Sequence, residues 1–214
     1  GLKHMLWGPP VTINGKPRDL TISVMSDPEG LLYRIDADGD DGQPCHFGSS
    51  LSGGSNEAEG TNLPAGQKLP GNDRTEAYRK FAERCSIHSG PPSPEAARVD
   101  RVVRDGEVLW AGLTSQPGSE AETKGMVFDP YVLDAVWRLL AFAGTEYSND
   151  AGTSDALPFP VSVGTIIAFS PLSGQLTVKI TAQTGFSNGV TVKVYNADGT
   201  ESLRLTGVRL TALG

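Results

Sequence analysis

The chain has 214 residues, 38% of them hydrophobic and 20% charged, with 26 glycines and 15 prolines, enough to bury the core of a single domain without disulfide staples. Lys and Arg number 18 against 25 Asp and Glu, a net charge of −7, and with no basic cluster this argues against nucleic acid as a partner. No apolar run approaches the roughly 18 residues of a membrane span and nothing has the form of a signal peptide; Cys45 and Cys85 stand apart from any metal-ligand pattern, so the chain reads as cytoplasmic, with reduced thiols.

Residues 11–50 alternate at strand period. Leu20, Ile22 and Val24 share one face, and Leu32 and Ile35 fall in a second run after Pro28-Glu29-Gly30, which predicts a strand meander with tight turns and no buried helix of its own. Residues 51–73 are rich in Gly, Ser, Asn, Glu and Pro and read as a flexible linker. Asp73-Arg74-Thr75-Glu76 has the form of a capping box. It predicts a helix from about Arg74 to Arg84 that docks through Ala77, Tyr78, Phe81 and Ala82, one face at helical spacing.

Two extended runs around Asp105-Gly106 predict a hairpin. The sharpest signal comes next: Asp129 as cap, Pro130 at the first helical position, then Val132, Leu133, Val136, Trp137, Leu139, Leu140 and Phe142, a helix apolar on nearly every side. Four further β segments follow, at about Ser162 to Phe169, Gln175 to Thr184, Val190 to Asn196 and Ser202 to Leu213, the last two joined at Asp198-Gly199. An antiparallel sheet wrapped around one buried helix is an α+β domain.

The segments from Trp7 to Val24 (WGPPVTINGKPRDLTISV), from Cys45 to Gly48, from Tyr78 to Pro92 (YRKFAERCSIHSGPP) and from Met126 to Leu140 (MVFDPYVLDAVWRLL), with the closing LPFPVSVGTIIAF and VYNADGTESLRLTGVRLTAL, together resemble the dehydratase domains of modular type I polyketide synthases. The resemblance implies a double hot-dog fold with its first half incomplete. Residues 1–50 would be late strands of the first hot-dog, 51–73 the linker and 74–214 the second hot-dog. It also implies an acyl chain held on the phosphopantetheine of an acyl carrier protein, no resident cofactor, an adjacent ketosynthase, and a homodimer formed through the parent synthase. In such domains a His removes the α proton and an Asp protonates the leaving hydroxyl, because hydroxide leaves poorly and the α proton is weakly acidic. Asp134 matches the acid, and Trp137, Arg138, Ser89 and Pro91 fall where substrate is bound.

Several positions depart from that pattern. The family's His-x3-Gly-x4-Pro base motif has no counterpart ahead of the matched strands. His4 and Gly8 reproduce its first spacing, but Lys16-Pro17-Arg18-Asp19 leads into a strand where the family has a helix. His46, which matches a structural position, and His88, in the loop replacing a substrate-lining turn, are the remaining candidates for a base. Ser89 stands for the family Tyr, Ser93 for Phe, Asp129 for the His of the His-Pro pair, and Arg138 for Gln or His. A cation one turn beyond Asp134 favours the carboxylate over the proton donor. These departures favour a degenerate domain with a structural or branching role over two alternatives, a fragment of an active dehydratase and a polyketide cyclase. An unrelated sheet-and-helix binding module is the reading that remains outside polyketide metabolism. No His or Cys pair has metal-ligand spacing, and no glycine loop for a nucleotide precedes a helix.

Overall fold

The computed structural model describes residues 2–7, 19–28, 30–37, 46–50, 60–64, 68–89, 97–115, 129–147, 157–182 and 189–213. Strands β1 (Leu2–Trp7), β2 (Leu20–Asp27), β3 (Gly30–Ala37) and β4 (His46–Ser50) come first. They are followed by β5 (Asn72–Asp73), helix α1 (Thr75–Ser89), the hairpin β6 (Arg98–Asp105) and β7 (Val108–Thr114), and helix α2 (Pro130–Tyr147). Strands β8 (Leu157–Ala168), β9 (Gln175–Ala182), β10 (Val190–Asn196) and β11 (Glu201–Leu213) close the order. All eleven strands belong to one sheet, β2-β3-β4-β1-β8-β11-β10-β9-β7-β6-β5.

The meander of the first 50 residues is therefore continuous with the second half. The join is β1, which pairs antiparallel with β4, Trp7 opposite His46, and on its other edge with β8, Met5 opposite Val163 and Leu2 opposite Ile166. Sequence alternation does not mark β1, because the β1–β4 register shifts between Lys3 and Leu6 and His4 there has φ 52, a conformation uncommon outside glycine.

Helix α2 forms as its residues dictate. Asp129 Oδ1 accepts from the backbone N–H groups of Tyr131 (2.9 Å) and Val132 (3.3 Å), and Pro130 occupies the position where a missing N–H does no harm. Val132, Val136, Leu139, Leu140 and Ala143 are fully buried in one cluster with Val163 and Ile166 of β8, Val192 of β10, and the pairs Val178/Ile180 of β9 and Leu203/Leu205 of β11, each of these two pairs at alternate positions as pleating requires.

Helix α1 departs from its capping signal. Asp73 Oδ1 accepts from the Thr75 N–H at 2.8 Å, while Glu76 pairs with Arg79 instead of reaching back toward the cap. The helix runs on to Ser89, so His88 and Ser89 belong to its last turn and not to a loop.

Residues 60–64 and 68–73, expected to lie in a flexible linker, are tied to the sheet on the side away from α2. Thr61 donates through its N–H (2.6 Å) and its hydroxyl (2.7 Å) to Glu201 Oε2, and the Leu63 N–H donates to the Gly199 carbonyl at 2.9 Å. Gly199 (φ 86) faces Leu63 so closely that a Cβ would strike its carbonyl, and Gly71 (φ 111) meets the Arg104 carbonyl in the same way, so both contacts require glycine. In the first half, Leu20, Ile22 and Val24 share a face as predicted, but no described helix covers them and they are 56%, 66% and 59% exposed.

Glu201 is buried and receives Arg204 through Nε (2.5 Å) and Nη2 (2.7 Å), with Lys193 Nζ 3.6 Å away. Burial alone would raise its pKa, but Arg204 and Thr61 hold it down at about 2. A carboxylate whose folded-state pKa is depressed stabilises the fold fully above its ordinary value of 4.5, and that contribution fades as pH falls toward 2. Glu201→Gln is expected to destabilise the protein at pH 7 by about 3 kcal/mol, the cost of leaving a buried partner unpaired. Urea unfolding of both proteins checks this, and the difference should shrink as the titration approaches pH 2.

Candidate functional site

The face of α2 that carries Val132, Val136, Leu139 and Ala143 is turned to the sheet, which leaves Asp134 and Arg138, one turn apart, outside the apolar stripe. Arg138 Nε donates to Asp134 Oδ2 at 3.0 Å, with the side chains 19% and 43% exposed respectively. The carboxylate is thus held as a hydrogen-bond acceptor at the rim of the core. Trp137, next along, is partly buried and packs against the core cluster.

Helix α1 supplies the facing wall. Tyr78, Phe81 and Cys85 are buried, and both Tyr78 and Phe81 meet Phe142 of α2 with ring centroids 5.5 Å apart. Burial pushes the Tyr78 phenol up to about 12; the Arg138 charge opposes this, while Cys85 and Asp134 add to it. Burial also raises the Cys85 thiol, against the pull of Arg138 and Arg84. Four polar side chains, Asp134, Arg138, Tyr78 and Cys85, therefore share one electrostatic environment between the helices. The sequence had marked the first two; Tyr78 was read as part of an apolar docking face, and the signal passed over was its phenol tip, a polar group in an otherwise apolar stripe.

His46 stands elsewhere in the fold. It opens β4, opposite Ile35 and Trp7, and its ring stacks on Tyr33 at 5.4 Å and 16°. Burial lowers its pKa, so at neutral pH it is an uncharged imidazole in an aromatic stack. The backbones of His88 and Ser89 lie in α1, while their side chains, and Pro91 altogether, lie outside the described residues. A cavity of about 280 Å³ opens on the opposite face of the sheet, between Leu63, Pro64, Leu69 and Pro70 on one side and Trp110 and Tyr195 on the other; it contains none of the expected site residues. Among the described residues no group of His, Cys, Asp and Glu is arranged to hold a metal ion, and no helix is long and apolar enough to cross a membrane.

A family model for the polyketide synthase dehydratase N-terminal domain matches residues 71–214. No curated protein sequence matches the chain. Among solved structures, the dehydratase domain of MlnD from Bacillus amyloliquefaciens is similar with a TM-score of 0.68 and 18% identity, over 97% of this chain and 75% of that one. The dehydratase domain from the CurF module of the curacin polyketide synthase gives 0.71 at 10% identity, over 100% and 75% of the two chains. The pyran synthase domain from module nine of the sorangicin pathway gives 0.69 at 18%, over 100% and 78%. At such identities the likeness establishes the hot-dog architecture, an antiparallel sheet enclosing a buried helix.

The exposure of Asp134 sets what its ion pair contributes. Asp134→Asn is expected to lower stability by less than about 1 kcal/mol, as for other solvent-accessible pairs, whereas Leu139→Ala in the same helix costs about 3 kcal/mol through the cavity it leaves. Urea midpoints of the two variants measure the contrast.

Proposed function

Since the chain belongs to the polyketide synthase dehydratase family, we propose that it holds a carrier-protein-bound acyl chain within a modular synthase in a degenerate, structural or branching role, without eliminating water from it. The observation that carries this reading is the Arg138–Asp134 pair at 3.0 Å. Elimination needs a carboxylic acid that gives its proton to a departing hydroxyl. Here a guanidinium donates to the carboxylate from the position where the family has Gln or His. His46, stacked on Tyr33 within the first-half strands, fits a structural position better than that of a mobile base.

On this reading the acyl chain arrives on the phosphopantetheine of an acyl carrier protein, with no cofactor resident in the domain. An adjacent ketosynthase and the pairing of parent synthases would place the domain beside its neighbours, in the cytoplasm. Asp134→Asn then leaves the chemistry of the module unchanged.

A second reading, ring closure on the tethered chain, is favoured by the same carboxylate. An acceptor is what is needed to take the proton of an attacking hydroxyl, and a pyran synthase shares the architecture. Intact mass spectrometry of a β-hydroxyacyl carrier protein, incubated with the domain inside its parent module, separates the alternatives. The expected result is no change of mass with wild type or Asp134→Asn, while the module still yields product. Loss of one water with wild type and none with the variant would establish Asp134 as a working acid and overturn the structural role. Altered chromatographic retention with unchanged mass, or with water lost only once a ring has formed, would establish cyclisation.

A further inference from the structure

Trp110 stands between Leu109 and Ala111, which belong to the core under α2, so strand pleating turns it and Gly112 to the opposite face of the sheet. There it lines, with Tyr195 and the wall of Leu63, Pro64 and Pro70, the cavity of about 280 Å³, just below the roughly 300 Å³ at which pockets begin to hold drug-sized ligands. The wall is fixed by the bond from the Leu63 N–H to the Gly199 carbonyl and by the close approach of Gly71 to Arg104. Gly112 forms part of the floor, and a Cβ added to it would meet nothing within 4 Å. Two polar atoms of the lining residues are buried with no hydrogen-bond partner, the Trp110 indole Nε1 and Asn196 Oδ1. Trp110 is only 6% exposed, and Asn196 commits its Nδ2 to Ser170 and Pro171, which leaves its oxygen as the acceptor. Buried polar atoms are nearly always paired, so a donor and an acceptor left over beside one cavity call for a ligand group each. In the register, Trp110 lies opposite Lys179, and Asn196 opposite Leu176, whose other partner is Leu113. The two backbones are thus two strands and three residues apart, about 10 Å in each direction, and one functional group cannot serve both atoms. Among the described lining residues the charged side chain, Asp100, is taken by Arg98 (2.6 Å) and Thr114 (2.5 Å).

We propose that this cavity binds a small neutral diamide, one carbonyl accepting from the Trp110 indole N–H and a separate amide N–H donating to Asn196 Oδ1, with the apolar part of the molecule held between the Leu63–Pro64 wall and Gly112. Two amides supply an acceptor and a donor at a distance from each other without bringing charge. A carboxylate or ammonium group would lose its hydration here with no counter-ion to receive it, and a hydrocarbon would leave both atoms unpaired. Two sources share this chemistry, a pair of consecutive peptide links and the pantetheine arm of a carrier protein. The site lies across the sheet from Asp134 and Arg138 and does not depend on the acyl-holding role given above.

The test is an NMR titration of protein labelled with ¹⁵N at tryptophan, whose indole N–H signals come from Trp7, Trp110 and Trp137; the Trp110 signal is the one lost in Trp110→Phe. The probes are N-acetylproline methylamide, its methyl ester, which keeps the carbonyls and lacks the N–H, and free pantetheine. The expected result is a saturable downfield movement of the Trp110 signal with at least one diamide while Trp7 and Trp137 stay in place. The ester should bind about five-fold more weakly than the methylamide, the worth of one hydrogen bond. Gly112→Val should remove the response by filling the floor, with the unfolding midpoint kept or raised, since a β-branched residue suits a strand. A response to pantetheine alone assigns the site to the carrier arm, and a response to the proline diamide alone assigns it to a peptide. No saturable movement with either diamide overturns the site, and this arm decides even if Gly112→Val proves unstable. A response that survives Gly112→Val in the folded protein also overturns it, and an ester bound as tightly as the methylamide overturns the role of Asn196. None of these outcomes touches the acyl-holding role, which the mass measurement on the carrier protein decides.

Discussion

An 18-residue helix with no acidic residue in its first turn and no basic residue in its last has little reason to persist in water. Its cohesion comes from removing Val132, Val136, Leu139, Leu140 and Ala143 from solvent together, and that requires a sheet curved around it. The alternate residues of β8 to β11 supply the inner wall, α1 closes one flank with Tyr78 and Phe81, and the ties of Thr61 and Leu63 hold residues 60–64 across the back of the same sheet. The polar pair at Asp134 and Arg138 exists at the margin of this enclosure because a helix surrounded on most sides leaves one narrow strip where charge can reach water.

That strip is also where architecture stops determining chemistry. A fold shared with dehydratases and with a pyran synthase can host several reactions or none, and the difference lies in a few side chains. Here Arg138 matters more than any feature of the sheet. Its guanidinium is planar, permanently charged and fork-shaped, so it imposes on Asp134 a partner that a neutral amide or imidazole would not.

Much of this could be read from the sequence because it depends on short-range chemistry. The Asp129-Pro130 start of α2, the Asp105-Gly106 hairpin and the alternation of Leu20, Ile22 and Val24 are local signals, and the order of motifs gave the family. Features that depend on distant partners were hidden. Past Arg84, helix α1 carries Cys85 into the buried core, an anchor that composition does not encode. Residues 60–73 look like a linker because their anchors are Glu201, Gly199 and Arg104, far along the chain. The strand character of Leu2–Trp7 was masked by the irregular backbone at His4. Within the site, the Asp134–Arg138 pairing followed from helical spacing, while the inclusion of Tyr78 required knowing which face of α1 meets α2.

Strand β1 has one more consequence, for the order in which the molecule assembles. It lies between β4 and β8, so Leu2 faces Ser50 on one edge and Ile166 on the other. One neighbour leaves the ribosome soon after β1 and the other only after both helices and the β6–β7 hairpin have been made. Until then the β1 edge that receives β8 lacks that partner, and closing so long a loop is the slow, entropy-limited kind of contact. The same open edge is a template for pairing with other chains. The interval before β8 arrives is therefore when this polypeptide is most exposed to aggregation, and the union of the two halves into one sheet is among the last events of its folding.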